Sequence, residues 1–143
     1  MTIARILSGK GRDVITTQPH RTIGEIAKML ADKGIGAIIV TGAQGELLGI
    51  LSERDIVRAL ARYGAEALAH PVSRHMTAKV TTTTQESSVV AVMEQMTAGR
   101  FRHVPVLRAG HVEGVISIGD VVKYRLAEIE GESEALRQYI ASA

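Results

Sequence analysis

Gly114-Val-Ile-Ser-Ile-Gly-Asp-Val-Val-Lys123 has an earlier counterpart in Gly49-Ile-Leu-Ser-Glu-Arg-Asp-Ile-Val-Arg58, at an offset of 114 − 49 = 65 residues. In both, a short β-branched apolar run ends in a serine. An aspartate follows three positions later, where a helix-period pattern begins. The pattern predicts strand, turn and helix start. Two physical readings of this Ser-x-x-Asp step are open. In the first, the serine oxygen caps the helix by accepting a first-turn N–H, and no ligand is needed. In the second, a strand end opening into a helix N-terminus offers free N–H groups and the positive end of the dipole to a phosphate. A carboxylate beside it can then hold the hydroxyls of a ribose. The two readings are compatible.

Working outward, the similarity extends well beyond the two turns. Val80 to Thr83 matches Val14 to Thr17 at an offset of 66, both reading as short strands. The apolar stripe Val89, Val92, Met93 and Met96 falls on Ile23, Ile26, Ala27 and Leu30, the i, i+3, i+4, i+7 spacing of an amphipathic helix. Val104 to Val106 matches Ile38 to Val40. Once Gln44 is skipped, Gly110, Gly114, Ser117, Asp120 and Val122 match Gly45, Gly49, Ser52, Asp55 and Val57 at 65. The chain is therefore an internal duplication of β-α-β-β-α units. In the first unit, residues 14–64, Thr22 and Glu25 predict a capping box and Gly34 a helix stop. Gly36 to Val40 reads as a buried strand, Leu47 to Leu51 as its hairpin partner, and Asp55 to Tyr63 as a helix ended by Gly64. Residues 65–79, with the break at His70-Pro71, form a linker, and the second unit covers 80–127, its first helix capped by Ser87 or Ser88.

The ends are simpler. Residues 1–13 comprise a short amphipathic lead-in, Ile3 to Leu7, and a loose basic loop from Ser8 to Asp13. Lys10 and Arg12 in that loop are either solvated or close over an anion. The last helix is expected from Val121 to about Glu130. Beyond Gly131 a further amphipathic stretch carries Leu136, Tyr139 and Ile140, within a C-terminal extension of 128–143, and packs on a partner or back on its own domain.

Composition narrows the function classes. Of 143 residues 45% are hydrophobic, yet there is one Phe, three Tyr and no Trp, so the core is aliphatic and base stacking on a nucleic acid is disfavoured. The formal charge of +2 gives no basic footprint for nucleic acid. With no cysteine, disulfides, thiol nucleophiles and thiolate metal sites are excluded. The histidines, scattered over separate segments with His70 and His75 on either side of a proline break, make no metal case. No leader and no membrane-spanning run is apparent, so the expectation is a cytoplasmic protein without membrane contact.

The two units differ where chemistry would lie. The first has Ile35-Gly-Ala-Ile-Ile, whereas the second has Phe101-Arg-His-Val-Pro, preceded by Arg100. Arg100, Arg102 and His103 form either a solvated basic rim or a phosphate clamp, for which the guanidinium fork is suited. Pro105 removes a ladder donor and so predicts an edge or a bulge, where open backbone groups could read an adenine. In the first unit the arginine sits inside the turn, as Arg54; the second unit has Gly119 there. The two candidate pockets are therefore unequal in charge.

With these residues in place the chain resembles a tandem pair of cystathionine-β-synthase (CBS) domains, the Bateman module, over nearly its whole length, and looks most like the small stand-alone members. The motifs are Ile35-Gly-Ala-Ile-Ile-Val and Gly49-Ile-Leu-Ser-Glu-Arg-Asp in the first repeat. In the second they are Met96, Arg100-Phe-Arg-His-Val-Pro-Val and Gly114-Val-Ile-Ser-Ile-Gly-Asp-Val-Val-Lys. The resemblance implies an α/β (α+β) fold of two β-α-β-β-α repeats packed through their sheets with pseudo-two-fold symmetry, and commonly a homodimer. It also implies binding of an adenosine-containing ligand in clefts between the repeats: AMP, ADP, ATP, NAD(H) or S-adenosylmethionine. Carried over, Asp55 and Asp120 would hold ribose. Ser52 and Ser117, with the amides of their turns, would meet phosphate, Gly119 lying in the second of those turns. Thr17 and Thr83 would line the clefts, and Ala37, Ile38, His103 and Pro105 would flank the base. Arg54, Arg100 and Arg102 would face phosphate. The implied function is a nucleotide sensor acting on a protein partner in trans, with a dimeric scaffold bearing vestigial clefts as the alternative. An enzyme is not expected, because no serine, lysine or carboxylate has an evident base or metal partner.

Overall fold

The computed structural model describes residues 1–11 and 13–142, and these divide into two compact units. One unit holds residues 13–81 and 107–113. Its strands β1 (Thr16–Thr17), β2 (Ala37–Thr41) and β3 (Leu47–Ser52) form one sheet in that order, β1 parallel and β3 antiparallel to β2. Helix α2 (Ile23–Lys33) begins where the Thr22 hydroxyl accepts from the Glu25 N–H. Only this half of the expected capping box forms, since the Glu25 carboxylate pairs with Arg21. The helix ends at Gly34 in the left-handed conformation that glycine adopts without strain. Helix α3 (Glu53–Tyr63) starts at Ser52 and ends at Gly64. A 3-10 turn (Gly64–Ala69) and the short helix α4 (Val72–His75) follow, so the expected linker is folded against the first repeat. The core is Ile23, Ile26, Leu30, Ile38, Val40, Leu51, Ile56 and Val72.

The other unit holds α1 (Ile3–Lys10), residues 82–106 and the chain from Gly114 onward. It contains α5 (Val89–Gly99), most of the hairpin β4 (His103–Arg108) and β5 (His111–Ser117), and α6 (Ile118–Ser142). Its core is Ile3, Ile6, Leu7, Val89, Val92, Met96, Val104, Val106, Ile116 and Val121, aliphatic as the composition required.

Three expectations need correction. Val80 to Thr83 does not form a strand; only an isolated bridge joins Thr83 to Val106. The cause lies across the ladder. In the first repeat Ile39 donates its N–H to the Ile15 carbonyl at 3.4 Å, but the matching residue in the second repeat is Pro105, which has no N–H. Only the bond from the Thr83 N–H to the Pro105 carbonyl survives, at 3.0 Å. Second, the loop placed at Ser8 to Asp13 starts later, because α1 stays helical to Lys10 and stops at Gly11; Arg12 lies outside the described residues. Third, α6 runs unbroken through Gly131 to Ser142. One glycine costs a helix about 1 kcal/mol, and the strong helix formers around it, from Leu126 to Arg137, carry the helix across.

Both units are built by the same rule. The Ile3 N–H donates to Ser87 and the Val72 N–H to Arg21, while Val89 donates to Met1 and Ile23 to His70. The offsets are 72 − 3 = 69 and 87 − 21 = 66. Helix α1 thus does for the second repeat what α4 does for the first: each repeat is completed by the segment that precedes the other in sequence.

Candidate functional site

Both Ser-x-x-Asp turns form reciprocal capping boxes. The Asp55 N–H donates to Ser52 Oγ at 3.3 Å while the Ser52 N–H donates to Asp55 Oδ2 at 2.9 Å. In the second repeat the Asp120 N–H donates to Ser117 Oγ at 3.1 Å and the Ser117 N–H to Asp120 Oδ2 at 2.9 Å. The residue just before the neighbouring strand, β2 or β4, anchors each turn in the same way. Glu53 donates to the Gly36 carbonyl at 2.9 Å, and Ile118 donates to the Arg102 carbonyl at 2.8 Å. Capping is therefore a structural fact at both sites, and it holds each carboxylate at a helix N-terminus.

The third partner of each aspartate differs. Thr77 donates its hydroxyl to Asp55 Oδ1 at 3.3 Å, and Arg58 stands 4.0 Å from the same oxygen. Asp120 instead takes the Lys10 ammonium on Oδ2 at 2.5 Å, and Lys10 also donates to the Val115 carbonyl at 2.7 Å. Burial alone would raise the Asp120 pKa, but the bonds from Lys10 and from the Ser117 N–H outweigh it and hold the carboxyl below its usual range. The Asp120 side chain keeps 21% of its exposure against 9% for Asp55, so the second turn is the more open.

The other expected site residues are dispersed, and His103 opens β4. Thr83 and Pro105 are brought together by their backbone bond, and the Arg102 backbone abuts the Ser117 turn. Ala37 pairs with Ser52 across β2 and β3, and the exposed Arg54 occupies the turn itself. Ile38, by contrast, is buried in the core of its repeat, so its side chain is not available to flank a base. Thr17 is buried too, and lines a cavity of about 400 Å³ with Gln18, Arg21, Glu25 and Thr41 that does not include Asp55. Arg100 caps α5 with a φ of 56°, a left-handed conformation held by Gly34 at the matching place in the first repeat. Gly119 needs no such freedom. A Cβ built there meets only Ser117 Oγ, at 3.6 Å.

Thr77 has no signal in the sequence, whereas Lys10, expected to be solvated or to close over an anion, closes on the Asp120 carboxylate of its own chain, and the two histidines come together. His70 Nδ1 and His75 Nε2 lie 2.8 Å apart with their rings stacked, and the Tyr63 ring meets both edge-on. His75 lines a cavity of about 210 Å³ with Asp55, Arg58, Arg62 and Arg74. Burial first, then His70, Arg74 and Arg62, lower its pKa. Among the described residues, no group of three or more His, Asp or Glu side chains is placed to hold a metal ion. A signal that the segment carrying Lys10 corresponds to the one ending in Lys79 did exist at an offset of 69, where Ile3, Arg5, Leu7 and Lys10 match Val72, Arg74, Met76 and Lys79.

Comparison with known proteins identifies the class. The CBS domain model matches residues 11–62 and again 72–127. The chain belongs to the CBS-domain family. A mitochondrial CBS domain-containing protein of Arabidopsis thaliana is 32% identical over 97% of this chain and 71% of its own length. The crystal structure of a CBS-domain protein from Agrobacterium tumefaciens superposes with a TM-score of 0.85 at 49% identity, covering 87% of this chain and 99% of that one. Two further structures carry ligands. A Pyrobaculum aerophilum CBS domain protein is complexed with AMP (TM-score 0.75, 28% identity, 84% of this chain and 89% of that one). A second CBS domain pair holds 5′-methylthioadenosine and S-adenosyl-L-methionine (TM-score 0.80, 25% identity, 90% and 98%). Among the described residues no helix is long and apolar enough to cross a membrane.

Proposed function

We propose that this chain is a regulatory module that binds an adenosine-containing ligand and reports its occupancy, as a homodimer, to a protein partner in trans. The candidate ligands are AMP, ADP, ATP, NAD(H) and S-adenosylmethionine. The reading rests on one observation above the others: the Ser117–Asp120 turn fixes a partly exposed carboxylate at the N-terminus of α6. A ribose would exchange its two hydroxyls for the Lys10 ammonium, and a phosphate would meet the N-terminal amides of the helix. The AMP and S-adenosyl-L-methionine complexes of the related proteins support the ligand class. Signalling then requires that the ligand bind two conformations with different affinity. In this reading the protein is a regulator and not an enzyme.

A thermal-shift panel with AMP, ADP, ATP, NAD, NADH and S-adenosylmethionine on nucleotide-stripped protein tests the proposal. Ligand at about a hundred times its dissociation constant adds on the order of 2.7 kcal/mol. A selective rise in melting temperature names the ligand. No rise with any of them favours the second reading, a scaffold with vestigial sites. One observation supports that alternative: both carboxylates are already satisfied within the chain, Asp55 by Thr77 and Asp120 by Lys10.

A further inference from the structure

Helix α6 carries an apolar seam that nothing in its own unit covers. Val122, Leu126, Ile129, Ser133, Leu136 and Ile140 follow one another in steps of 4, 3, 4, 3 and 4 residues, a heptad pattern with one polar position. The five apolar members are 44–65% exposed, although Val121, one place around the helix, is fully buried. From Gly131 to Ser142 every residue is exposed, yet the segment is helical. A dozen helical residues without packing are marginal in water, so a helix of this kind calls for a partner along its seam.

The flanking charges specify the partner. With Leu126, Ser133 and Ile140 at a and Val122, Ile129 and Leu136 at d, the g positions are Arg125, Glu132 and the uncharged Tyr139, and the e positions are Lys123, Glu130 and Arg137. If a second copy lies parallel and in register, each g side chain faces the next e of the other helix. Arg125 then meets Glu130 and Glu132 meets Arg137, so both contacts are attractive, and symmetry doubles them. An antiparallel pair with the same apolar layers sets Glu130 against Glu130, Glu132 against Glu132, and Lys123 against Arg137. All of those contacts are repulsive. We infer that α6 pairs in parallel with α6 of a second copy of this chain as a short two-stranded coiled coil. The inference rests on the dimeric part of the proposed function and gives that dimer a surface and a direction.

Analytical ultracentrifugation of the full chain tests it. The wild-type chain should sediment as a dimer and Leu136→Glu as a monomer that keeps a cooperative melt, since Leu136 lies outside both cores. Arg137→Glu should weaken the dimer, and adding Glu132→Arg should restore it. The chain has no cysteine, so Ile140→Cys provides a clean test of direction. A parallel pair sets the two thiols side by side, and mild oxidation should give a disulfide-linked dimer. An antiparallel pair sets Ile140 opposite Val122 and leaves the thiols about 27 Å apart along the axis. A monomeric wild-type chain would overturn both the dimer and the coil. A dimer that survives Leu136→Glu, or that gives no cross-link through Ile140→Cys, would overturn the coil alone.

Discussion

The Ser52–Asp55 and Ser117–Asp120 turns are the same device with different third partners. Each is a capping box at the end of a strand, with bond lengths that agree within a few tenths of an ångström. The partners diverge because the completing segments diverge. Helix α4 ends at His75, and the chain turns extended so that Thr77 pairs with Ile50 and reaches Asp55. That close approach needs Gly49, where a Cβ would stand 2.7 Å from the Thr77 carbonyl oxygen. Helix α1 stays helical through the matching stretch. Its Leu7 fills the space above Gly114, and Lys10 arrives over Asp120. A duplicated fold thus preserves the turn, while the segment in front of the other repeat decides what the carboxylate meets.

Exchanging each aspartate for alanine should separate structure from binding, and this is the largest effect. Asp55 is buried and holds both Ser52 and Thr77, so Asp55→Ala should cost up to about 2 kcal/mol, the upper end of the range for a lost cap. Asp120→Ala should cost about 1 kcal/mol, the value of a cap. For the nucleotide the order reverses: titration calorimetry should show the greater loss of affinity for Asp120→Ala. Unchanged affinity in that variant, with the fold intact, would remove Asp120 from the ribose.

Arg100 sharpens the comparison at a smaller scale. Gly34 and Arg100 cap equivalent helices with nearly the same dihedral angles, φ 62° and ψ 36° against φ 56° and ψ 36°. Only the glycine is free of strain there. Arg100→Gly should therefore raise stability by about 0.5–1 kcal/mol, read as a higher denaturation midpoint in urea. If Arg100 faces phosphate, the same variant should weaken AMP or ATP but leave adenosine unaffected. A variant that is no more stable than the parent would show that the side chain makes up for its own strain.

How much of this was legible in the sequence follows from what each feature depends on. The duplicated turns, the helix stripes and the Gly34 stop are local patterns, and they predict the elements well. The missing strand at Val80 to Thr83 was half visible. Pro105 marks an edge or a bulge, but the donor it withholds belongs to a ladder with residues some two dozen positions away. Ile38 reads as a site residue because its family motif is conspicuous, whereas its place on the pleat puts it in the core. Lys10 and Thr77 depend on segments exchanged between repeats, and no periodicity within one repeat shows that exchange. The match of Ile3, Arg5, Leu7 and Lys10 to Val72, Arg74, Met76 and Lys79 was present, but at an offset of 69 it falls outside the 65 and 66 that align the rest.

Lys10 gives the smallest and most specific prediction. At neutral pH Lys10→Met should cost no more than about 1 kcal/mol, since the ammonium is a third exposed and solvent screens the pair. The dependence on pH carries the information. Asp120 is held below its ordinary pKa, so its contribution is fully present above the unfolded value near 4 and is lost as pH falls through the lower folded value. Without Lys10 the upward push of burial is opposed only by the Ser117 bonds. The Asp120 pKa should then rise, and acid should begin to destabilise the variant at a higher pH than the parent. Urea midpoints for both proteins at intervals from pH 7 down to about pH 2 test this directly, because a pair between Lys10 and a charged Asp120 must lose its value once the carboxyl is protonated. The gap between the two proteins should close at the acid end. A gap that stays constant over the whole range would mean that Lys10 acts through its aliphatic stem against the helix and not through Asp120, and the contrast with Thr77 at Asp55 would then be one of packing alone.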